Sequence, residues 1–373
     1  MPDTHPAIHL VGENPTRIWG MTIDERTRRM AKAAKLPFGD AAEGAPAVLV
    51  NRAFVFDPPW LRYHAGQPGA VLTIGGVPVI AHVRDAAERA AVARAMAEGR
   101  PLADAGALRL TAYEDGAAIV NEELRKRETP FAMPLTPATV KAAERASYFG
   151  AYKGVTDLLT KYLWPEWALV ATRIAARIGM TPNMVTALGA ALCVAATIAF
   201  WHGHYWSGMA MGLVFMVLDT VDGKLARCTI TSSWWGNVFD HGIDLVHPPF
   251  WWWAWGVGLT AYGRPIGADM LWTLLAVIVG VYVLQRLVEG EFIRRFGMHI
   301  HVWRKVDSDF RLITARRNPN MVILFVSMLF QRPDIGLIAV AWWTVISFVV
   351  HLVQLGQAML AQARGREIRS WLA

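Results

Sequence analysis

Charged residues are scarce in this sequence. Asp, Glu, Lys and Arg make up only 18% of the 373 residues, whereas 54% of the residues are apolar. A soluble protein has about a quarter of its residues charged, so this balance argues against a wholly soluble chain. The apolar excess is concentrated after about residue 180. The sequence therefore predicts two parts, a soluble N-terminal half and a half embedded in lipid.

Cysteine is also scarce, and the two examples, Cys193 and Cys228, are too few for the disulfide framework of a secreted domain. The first twenty residues lack a long apolar run behind a basic start, so we expect no signal peptide and a cytoplasmic N-terminal half. The net charge of +7 is accompanied by no basic helix or aromatic–basic platform, and we expect no nucleic-acid partner. Lys and Arg that anchor cytoplasmic loops explain the excess.

Residues 1–140 alternate short apolar runs with amphipathic stretches, which predicts a cytoplasmic α/β domain. The expected elements are a strand at 7–12, a helix at 22–36, a strand at 47–56, a hairpin at 70–83 around two glycines, and a helix at 85–98. A mostly helical segment at 136–163 follows. It is typical of an amphipathic helix lying in the membrane interface, or equally of an ordinary helix that closes the domain.

The second half contains six apolar segments, which predict an α-helical polytopic membrane domain. Their approximate bounds are 184–203, 205–222, 237–262, 267–290, 319–332 and 334–357. The fifth is short for a bilayer that needs about 20 residues. Segment 291–317 has seven Lys or Arg against three acids, and the positive-inside rule places it in the cytoplasm together with both termini. The expected location is the inner (cytoplasmic) membrane, with the active site facing the cytoplasm.

Four aspartates stand at the ends of the second and third apolar segments. They belong to the pattern Asp219-x2-Asp222-Gly223-x2-Ala226-Arg227-x8-Gly236-x3-Asp240-x3-Asp244. Residues three or four apart share a helix face, so each helix presents one pair, and a short connection lets the two pairs meet. Charges inside a membrane are costly and usually have a task. Four carboxylates suit Mg²⁺ or Mn²⁺, and two such ions are a common device for displacement at phosphorus.

This pattern resembles the signature of the CDP-alcohol phosphotransferase family at every fixed position, and the resemblance covers roughly residues 150–360. It implies that two divalent cations, Mg²⁺ or Mn²⁺, are bound by Asp219, Asp222, Asp240 and Asp244, with Asp244 also the general base. It implies that Thr186, Asp219, Gly223, Ala226 and Arg227 hold the CDP part. The implied reaction transfers a phospho-alcohol group, here expected to be phosphatidyl, to an acceptor alcohol in phospholipid biosynthesis and releases CMP.

The segment Leu10–Met21 resembles a degenerate Gly-rich loop of sugar-phosphate nucleotidyltransferases. Gly12, Thr16 and Arg17 fit that loop, but its second glycine and the Pro-Lys that follows it in the family are missing. We therefore expect a non-catalytic relic or docking domain. The resulting domain prediction is 1–140 nucleotidyltransferase-like, 141–180 juxtamembrane amphipathic helices, 181–360 membrane domain and 361–373 cytoplasmic tail.

Arginines beyond the fourth apolar segment are candidates for binding the acceptor, namely Arg286, Arg316 and Arg317. Surface anchoring is the alternative explanation for them. The expected partners are a CDP-alcohol donor, an alcohol or alcohol-phosphate acceptor, the lipid bilayer and a second copy of the chain in a homodimer. Alternative functions are a di-inositol-phosphate-type synthase that makes a soluble phosphodiester, an ion-coupled transporter, and an inactive membrane anchor for the soluble domain.

Overall fold

The computed structural model describes residues 6–39, 44–116, 119–121, 126–128 and 130–372, in which an α/β domain precedes a bundle of long helices. The strands are β1 (Ala7–Val11), β2 (Ala47–Asn51), β3 (Phe54–Phe56), β4 (Ala70–Ile74), β5 (Val77–Val83), β6 (Arg109–Ala112), β7 (Ile119–Asn121), β8 (Lys126–Glu128) and β9 (Ala132–Pro134). The first helices are α1 (Ile23–Ala34), α2 (Pro58–Ala65), α3 (Ala86–Glu98), α4 (Val140–Gly150) and α5 (Pro165–Arg177). The bundle contains α6 (Pro182–Trp201), α7 (Tyr205–Cys228), α8 (Trp234–Tyr262), α9 (Ala268–Phe296), α10 (Lys305–Arg311), α11 (Arg317–Leu329) and α12 (Pro333–Ala363).

The N-terminal domain is built on a mixed sheet with the strand order β1-β2-β5-β4-β6. The predicted strand at 7–12 and the hairpin at 70–83 are confirmed, and Gly75 and Gly76 form the hairpin turn with positive φ angles of 56° and 80°. The predicted single strand at 47–56 is wrong. Asn51 accepts a hydrogen bond from the backbone N–H of Ala53 at 2.9 Å, which forms a local turn and separates β2 from β3.

The two helices predicted in this domain are confirmed, and each begins at a side-chain cap. Thr22 accepts from the backbone N–H of Glu25 at 3.1 Å at the start of α1, and Asp85 accepts from Glu88 at 2.9 Å at the start of α3. Such caps satisfy backbone donors that the first turn of a helix leaves unpaired.

The segment 136–163 is only partly helical, because α4 ends at Gly150 and a short π-helical turn occupies Leu159–Leu163. Tyr148 is fully buried and donates to the carbonyl of Pro165 at 2.9 Å, so α4 packs against the start of α5 and shares a hydrophobic core with the bundle. The exposed apolar face lies on the next helix, α5, where Trp167, Val170 and Ile174 are each more than half exposed. This spacing of three and four residues suits a helix that lies in the membrane interface.

The six predicted apolar segments coincide with helices α6, α7, α8, α9, α11 and α12. Among the described residues, three helices are long and apolar enough to cross a membrane, namely α6, α9 and α12, so the count of six spans is not confirmed. Helices α7 and α8 contain the aspartates. Helix α11 has 13 residues, about 20 Å at 1.5 Å per residue, and Pro319 is tolerated in its first turn.

Aromatic side chains fill the core of the bundle where α6, α7 and α8 meet. Phe200, Tyr205, Trp251 and Trp255 are buried there, and the Phe200 and Trp251 rings lie edge to face at 5.6 Å. The indole of Trp251 donates to the carbonyl of Cys193 at 3.2 Å, which satisfies its polar group inside the core. This packing holds the three helices that surround the carboxylates in fixed positions.

Glycine at position 258 permits the closest approach of α8 to the end of α6. A Cβ atom added at Gly258 would lie 1.9 Å from the carbonyl oxygen of Phe200. We predict that Gly258→Ala lowers the thermal unfolding midpoint of the purified protein by several degrees, because the helices must separate. Gly280→Ala is the matched control, since the described part of the chain leaves open space around that position in α9. Equal midpoints for both variants would contradict this account of the packing.

Candidate active site

Three of the four motif aspartates meet at the interface of α7 and α8. Carboxylate oxygens of Asp219, Asp240 and Asp244 lie within 4.8 Å of one another. The helices are consecutive and joined by residues 229–233, so pairs spaced three or four residues apart on each helix can face each other. Asp240 and Asp244 come from α8, and Asp219 comes from α7.

The fourth aspartate, Asp222, is buried and bonded to α6. Its carboxylate accepts a hydrogen bond from the Thr186 hydroxyl at 2.6 Å. Thr186 also donates to the carbonyl of Pro182 at 3.1 Å, which orients the hydroxyl. The structure thus places Thr186 against Asp222, whereas the sequence predicts a contact with the nucleotide.

Arg317 bridges the two helices of the acidic motif. One of its guanidinium nitrogens donates to Asp244 at 2.7 Å, and another donates to Asp219 at 2.7 Å. The guanidinium also lies 4.9 Å from the centre of the Phe215 ring. The acceptor site predicted from sequence therefore includes an arginine that contacts two predicted metal ligands directly. Such charge-assisted bonds in a fork geometry are strong and restrict both carboxylates.

Helix α8 lacks two backbone hydrogen bonds beside Asp244. Pro248 and Pro249 lie inside the helix and lack the N–H groups that would bond to the carbonyls of Asp244 and Leu245. The hydroxyl of Tyr282 on α9 donates to the Leu245 carbonyl at 3.1 Å and replaces one missing bond. The backbone beside Asp244 is therefore supported from α9.

A polar cavity of about 520 Å³ opens beside the carboxylates. Its lining includes an acidic cluster of Asp219, Asp240 and Asp244, which we call the acidic end. It also includes a cluster around Glu289, which we call the basic end and which contains Arg286, Arg316 and His301 together with Arg311. Arg317 lines the same cavity, so all three arginines predicted to bind the acceptor are in the cavity wall. The arrangement provides a place for divalent cations beside a place for an anionic group.

Glu289 organises the basic end. Its carboxylate accepts from Arg316 at 2.6 and 2.7 Å and from Arg286 at 2.9 Å. The ring of His301 lies 3.4 Å from the same carboxylate. Two arginines around one carboxylate leave excess positive charge at this end of the cavity, where a phosphate can bind.

Gly223 and Arg227 lie one turn apart on α7 and line the cavity. A Cβ atom at Gly223 would lie 3.2 Å from a guanidinium nitrogen of Arg227, so glycine leaves room for that side chain. Ala226, also predicted to bind nucleotide, is a small residue on α7 but is not among the residues that line the cavity. Lys224 is buried, with its ammonium 3.1 Å from the centre of the Tyr152 ring. A lysine inside an apolar segment beside paired acids is a signal that sequence reasoning passed over.

Asp157 is a further cavity residue that the sequence did not indicate. It accepts from the backbone N–H of Thr160 at 3.1 Å and from its hydroxyl at 2.8 Å. Burial raises the pKa of Asp157, but the charge of Arg311 and these hydrogen bonds, with one from Asn318, outweigh it and leave the pKa below its ordinary value. Asp157 is therefore an anionic partner for Arg311 in the cavity wall.

The donor set fits hard divalent cations. All the clustered ligand atoms are carboxylate oxygens, which Mg²⁺ and Mn²⁺ prefer over the nitrogen and sulfur ligands typical of Zn²⁺. Arg317 contacts two of the three acids, Asp219 and Asp244, and one positive charge cannot balance three carboxylates. Negative charge therefore remains for a cation to neutralise. A second described cluster, Glu289, His301 and His351, is less suited to a cation because Arg286 and Arg316 already contact its carboxylate.

The loop at Leu10–Met21 of the N-terminal domain is closed by contacts with side chains of the same domain. Arg52 binds Asp24 through two nitrogens at 2.7 and 2.8 Å and donates to the carbonyl of Gly12 at 2.7 Å. The hydrogen bond from Arg52 is the main reason that the pKa of Asp24 lies below its ordinary value. Thr16 and Arg17 continue this loop, and Arg17 donates to the carbonyl of Gly20 at 2.9 Å.

Comparison with known proteins places the acidic motif inside a recognised segment. Residues 179–308 match the family described as CDP-alcohol phosphatidyltransferase. Cholinephosphotransferase 1 of Gallus gallus is 32% identical over 180 residues, which cover 44% of this chain and 50% of that protein. The Homo sapiens cholinephosphotransferase 1 is also 32% identical over 180 residues, covering 44% of this chain and 41% of that protein.

A bacterial relative is named for a different activity. Phosphatidylinositol phosphate synthase of Cutibacterium acnes is 32% identical over 120 residues, which cover 31% of this chain and 56% of that protein. The chain thus spans about half the length of the curated relatives it matches. The similarities support the family resemblance of the segment that contains the acidic motif. The matched residues begin after the N-terminal domain.

The pairing of Arg317 with two carboxylates generates a stability prediction. Arg317→Gln leaves Asp219 and Asp244 without their shared counter-charge, and we expect a loss of about 3–5 kcal/mol in the free energy of unfolding. Arg332→Gln breaks an ion pair with Asp334 near the start of α12, and we expect at most about 1 kcal/mol there. Chemical unfolding of the purified variants in chelator measures both. A loss no larger for Arg317 than for Arg332 would show that the bridge is not a stabilising contact.

Proposed function

We propose that this protein transfers a phospho-alcohol group from a CDP-alcohol to an acceptor alcohol and releases CMP. The observation that supports this best is the meeting of Asp219, Asp240 and Asp244 beside a polar cavity, within the segment that matches the family. The acceptor hydroxyl loses its proton and its oxygen bonds to the phosphorus that holds the alcohol group. The bond from that phosphorus to the CMP oxygen breaks, and CMP leaves with the electron pair.

Two divalent cations, Mg²⁺ or Mn²⁺, would be held by Asp219, Asp222, Asp240 and Asp244. When bound, such ions neutralise the charge of the diphosphate and polarise its oxygens. Asp222 lies deepest, and its bond to Thr186 orients the carboxylate. Arg317 shares two carboxylates of the set and limits how far they can move.

Asp244 is the proposed general base. Its side chain is 43% exposed, compared with 19% for Asp219, so it is the more accessible to an acceptor entering the cavity. A base must lie within hydrogen-bond reach of the proton that it removes. The contact of Asp244 with Arg317, whose neighbour Arg316 belongs to the basic end, supports this assignment.

The nucleotide would lie along α7. Arg227 offers a guanidinium to the diphosphate, and Gly223 leaves space beside the helix. Asp219, Ala226 and Thr186 complete the proposed nucleotide set by position in the motif. The close fit of Gly223 against Arg227 supports this placement, because a larger residue there would displace the guanidinium.

The acceptor would occupy the basic end, with Arg286, Arg316 and Arg317 as its contacts. The excess of arginine over acid there favours an acceptor that has a phosphate group. This observation keeps the soluble phosphodiester synthase as a second candidate beside a phospholipid synthase. A panel of CDP-alcohols and acceptors distinguishes them, since the first yields a water-soluble product and the second a lipid.

The proposed setting is the cytoplasmic membrane, with the active site and both termini on the cytoplasmic side. The apolar helices and the membrane-enzyme relatives support an integral membrane protein. The basic segment between α9 and α11 supports the orientation, because positively charged loops remain in the cytoplasm.

Chelation tests the proposed metals. Excess chelator should abolish CMP release from CDP-alcohol, and Mg²⁺ or Mn²⁺ should restore it, because the diphosphate needs its charge neutralised. In the same preparation, Mn²⁺ should raise the thermal midpoint of the wild type but not of Asp240→Asn. Asp269→Asn is the control, since that acid lies in the first turn of α9 away from the motif. Full turnover in chelator would reject the two-metal proposal.

Asp244→Asn and Asp222→Asn separate the base from the metal ligands. Loss of a general base lowers turnover by about 10² or more. We expect Asp244→Asn to do so with little change in nucleotide affinity, whereas Asp222→Asn should weaken nucleotide and Mn²⁺ binding as well. Single-turnover rates and CDP binding to each folded variant measure this difference. Near-normal turnover in Asp244→Asn would remove the base assignment and leave the metal site standing.

A further inference from the structure

The end of helix α7 leaves two carbonyls without backbone partners from its own turn. The carbonyls of Leu225, Ala226 and Arg227 accept from the N–H groups of Thr229, Thr231 and Ile230, at 2.9, 2.8 and 3.3 Å respectively. These bonds form a Schellman-type ending. The remaining orphan acceptors of the last turn are the carbonyls of Cys228 and Thr229.

Two arginines of the N-terminal domain donate hydrogen bonds to these two carbonyls. Arg26 donates to the carbonyl of Cys228 at 3.0 Å, and Arg29 donates to that of Thr229 at 2.7 Å. Arg26 is only 1% exposed, and its other guanidinium nitrogen donates to the carbonyl of Phe56 at 3.3 Å. Both arginines lie on α1, one turn apart. Positive charge at the C-terminus of a helix also opposes the negative end of its dipole.

Ile230 provides a third link between the parts. It adopts a left-handed conformation with φ of 54°, at the position where helix endings usually have glycine. A β-branched residue is strained there. Its side chain packs against the hydrophobic core of the N-terminal domain, which includes Ile8, Val48 and Phe54. The strained residue is therefore also the one whose side chain anchors the end of α7 to the N-terminal domain.

We infer that the N-terminal domain positions the nucleotide end of α7, with Arg26, Arg29 and Ile230 as positioning residues. Arg227 is the neighbour of Cys228, and Gly223 lies about one turn further back. A shift at the end of α7 therefore moves the proposed diphosphate contact directly. This role rests on the proposed function for its effect on the donor, whereas the anchoring of α7 stands on the contacts alone.

The test compares Arg26→Gln, Arg26→Lys and Ile230→Gly in the full chain. Arg26→Gln should raise KM for the CDP-alcohol about tenfold with a much smaller change in kcat, because Arg227 at the end of α7 moves whereas the proposed base, Asp244, lies on α8. Arg26→Lys should restore most of the donor affinity, since its charge and one donor remain. Ile230→Gly relieves the left-handed strain but removes the anchor, so it should raise the same KM without lowering the thermal midpoint.

Arg28→Gln is the control from the same helix, because Arg28 is exposed and lies against the ring of Phe38. Hydrogen exchange across residues 223–231 gives a readout that does not depend on activity, and it should rise in Arg26→Gln and Ile230→Gly but not in the control. Unchanged exchange there would overturn the inference, and so would an equal fall of kcat and kcat/KM. Raised exchange in a protein whose wild type binds no CDP would instead retain the positioning role and reject the proposed function.

Discussion

The concentration of negative charge between α7 and α8 is the constraint on which the rest of the site depends. Three carboxylates whose oxygens lie within 4.8 Å repel one another strongly in surroundings of low dielectric constant. Arg317 reduces this repulsion by bonding to Asp219 and Asp244 together. Burying the arginine guanidinium is also costly unless it is paired, so the arginine and the two carboxylates each lower the cost of burying the other. The residual negative charge is what suits the cluster to the proposed divalent cations.

The same balance of charge explains why the cavity has two different ends. Arg317 stands between them, on the first turn of α11, next to Arg316 at the basic end. At the basic end one carboxylate, that of Glu289, binds two arginines, Arg316 and Arg286. At the acidic end one arginine, Arg317, binds two carboxylates. A donor diphosphate needs cations, and an anionic acceptor needs arginines. Carboxylates that could bind cations and arginines that could bind an anion line one cavity of about 520 Å³, so the proposed donor and acceptor, both negatively charged, would be held side by side.

Patterns that depend on one helix could be predicted from the sequence, whereas contacts between distant segments could not. The spacing predicted that Asp219 pairs with Asp222 and Asp240 with Asp244, and that the two pairs meet, because helical periodicity is local. Asp219, Asp240 and Asp244 do meet, whereas Asp222 is bonded to Thr186 on α6. The bridging role of Arg317 depends on where α11 begins relative to α7, which no local pattern specifies. The position of Asp157 in the cavity wall could not be predicted for the same reason. The strand predicted at 47–56 failed because Asn51 turned the chain, a side-chain effect that apolar patterning ignores.

The relation between the two parts of the chain follows from backbone hydrogen bonding. A helix that ends at a membrane surface normally has water to satisfy its last carbonyls. Here the guanidinium of Arg26 is buried with the Cys228 carbonyl, so the N-terminal domain replaces water at that end. Its own loop is meanwhile closed by Arg52 and Asp24, which leaves the contact with α7 as the feature of the domain closest to the proposed chemistry. Removing the N-terminal domain would expose the end of the helix that holds Arg227, which gives this domain a structural role that does not depend on the function of its own loop.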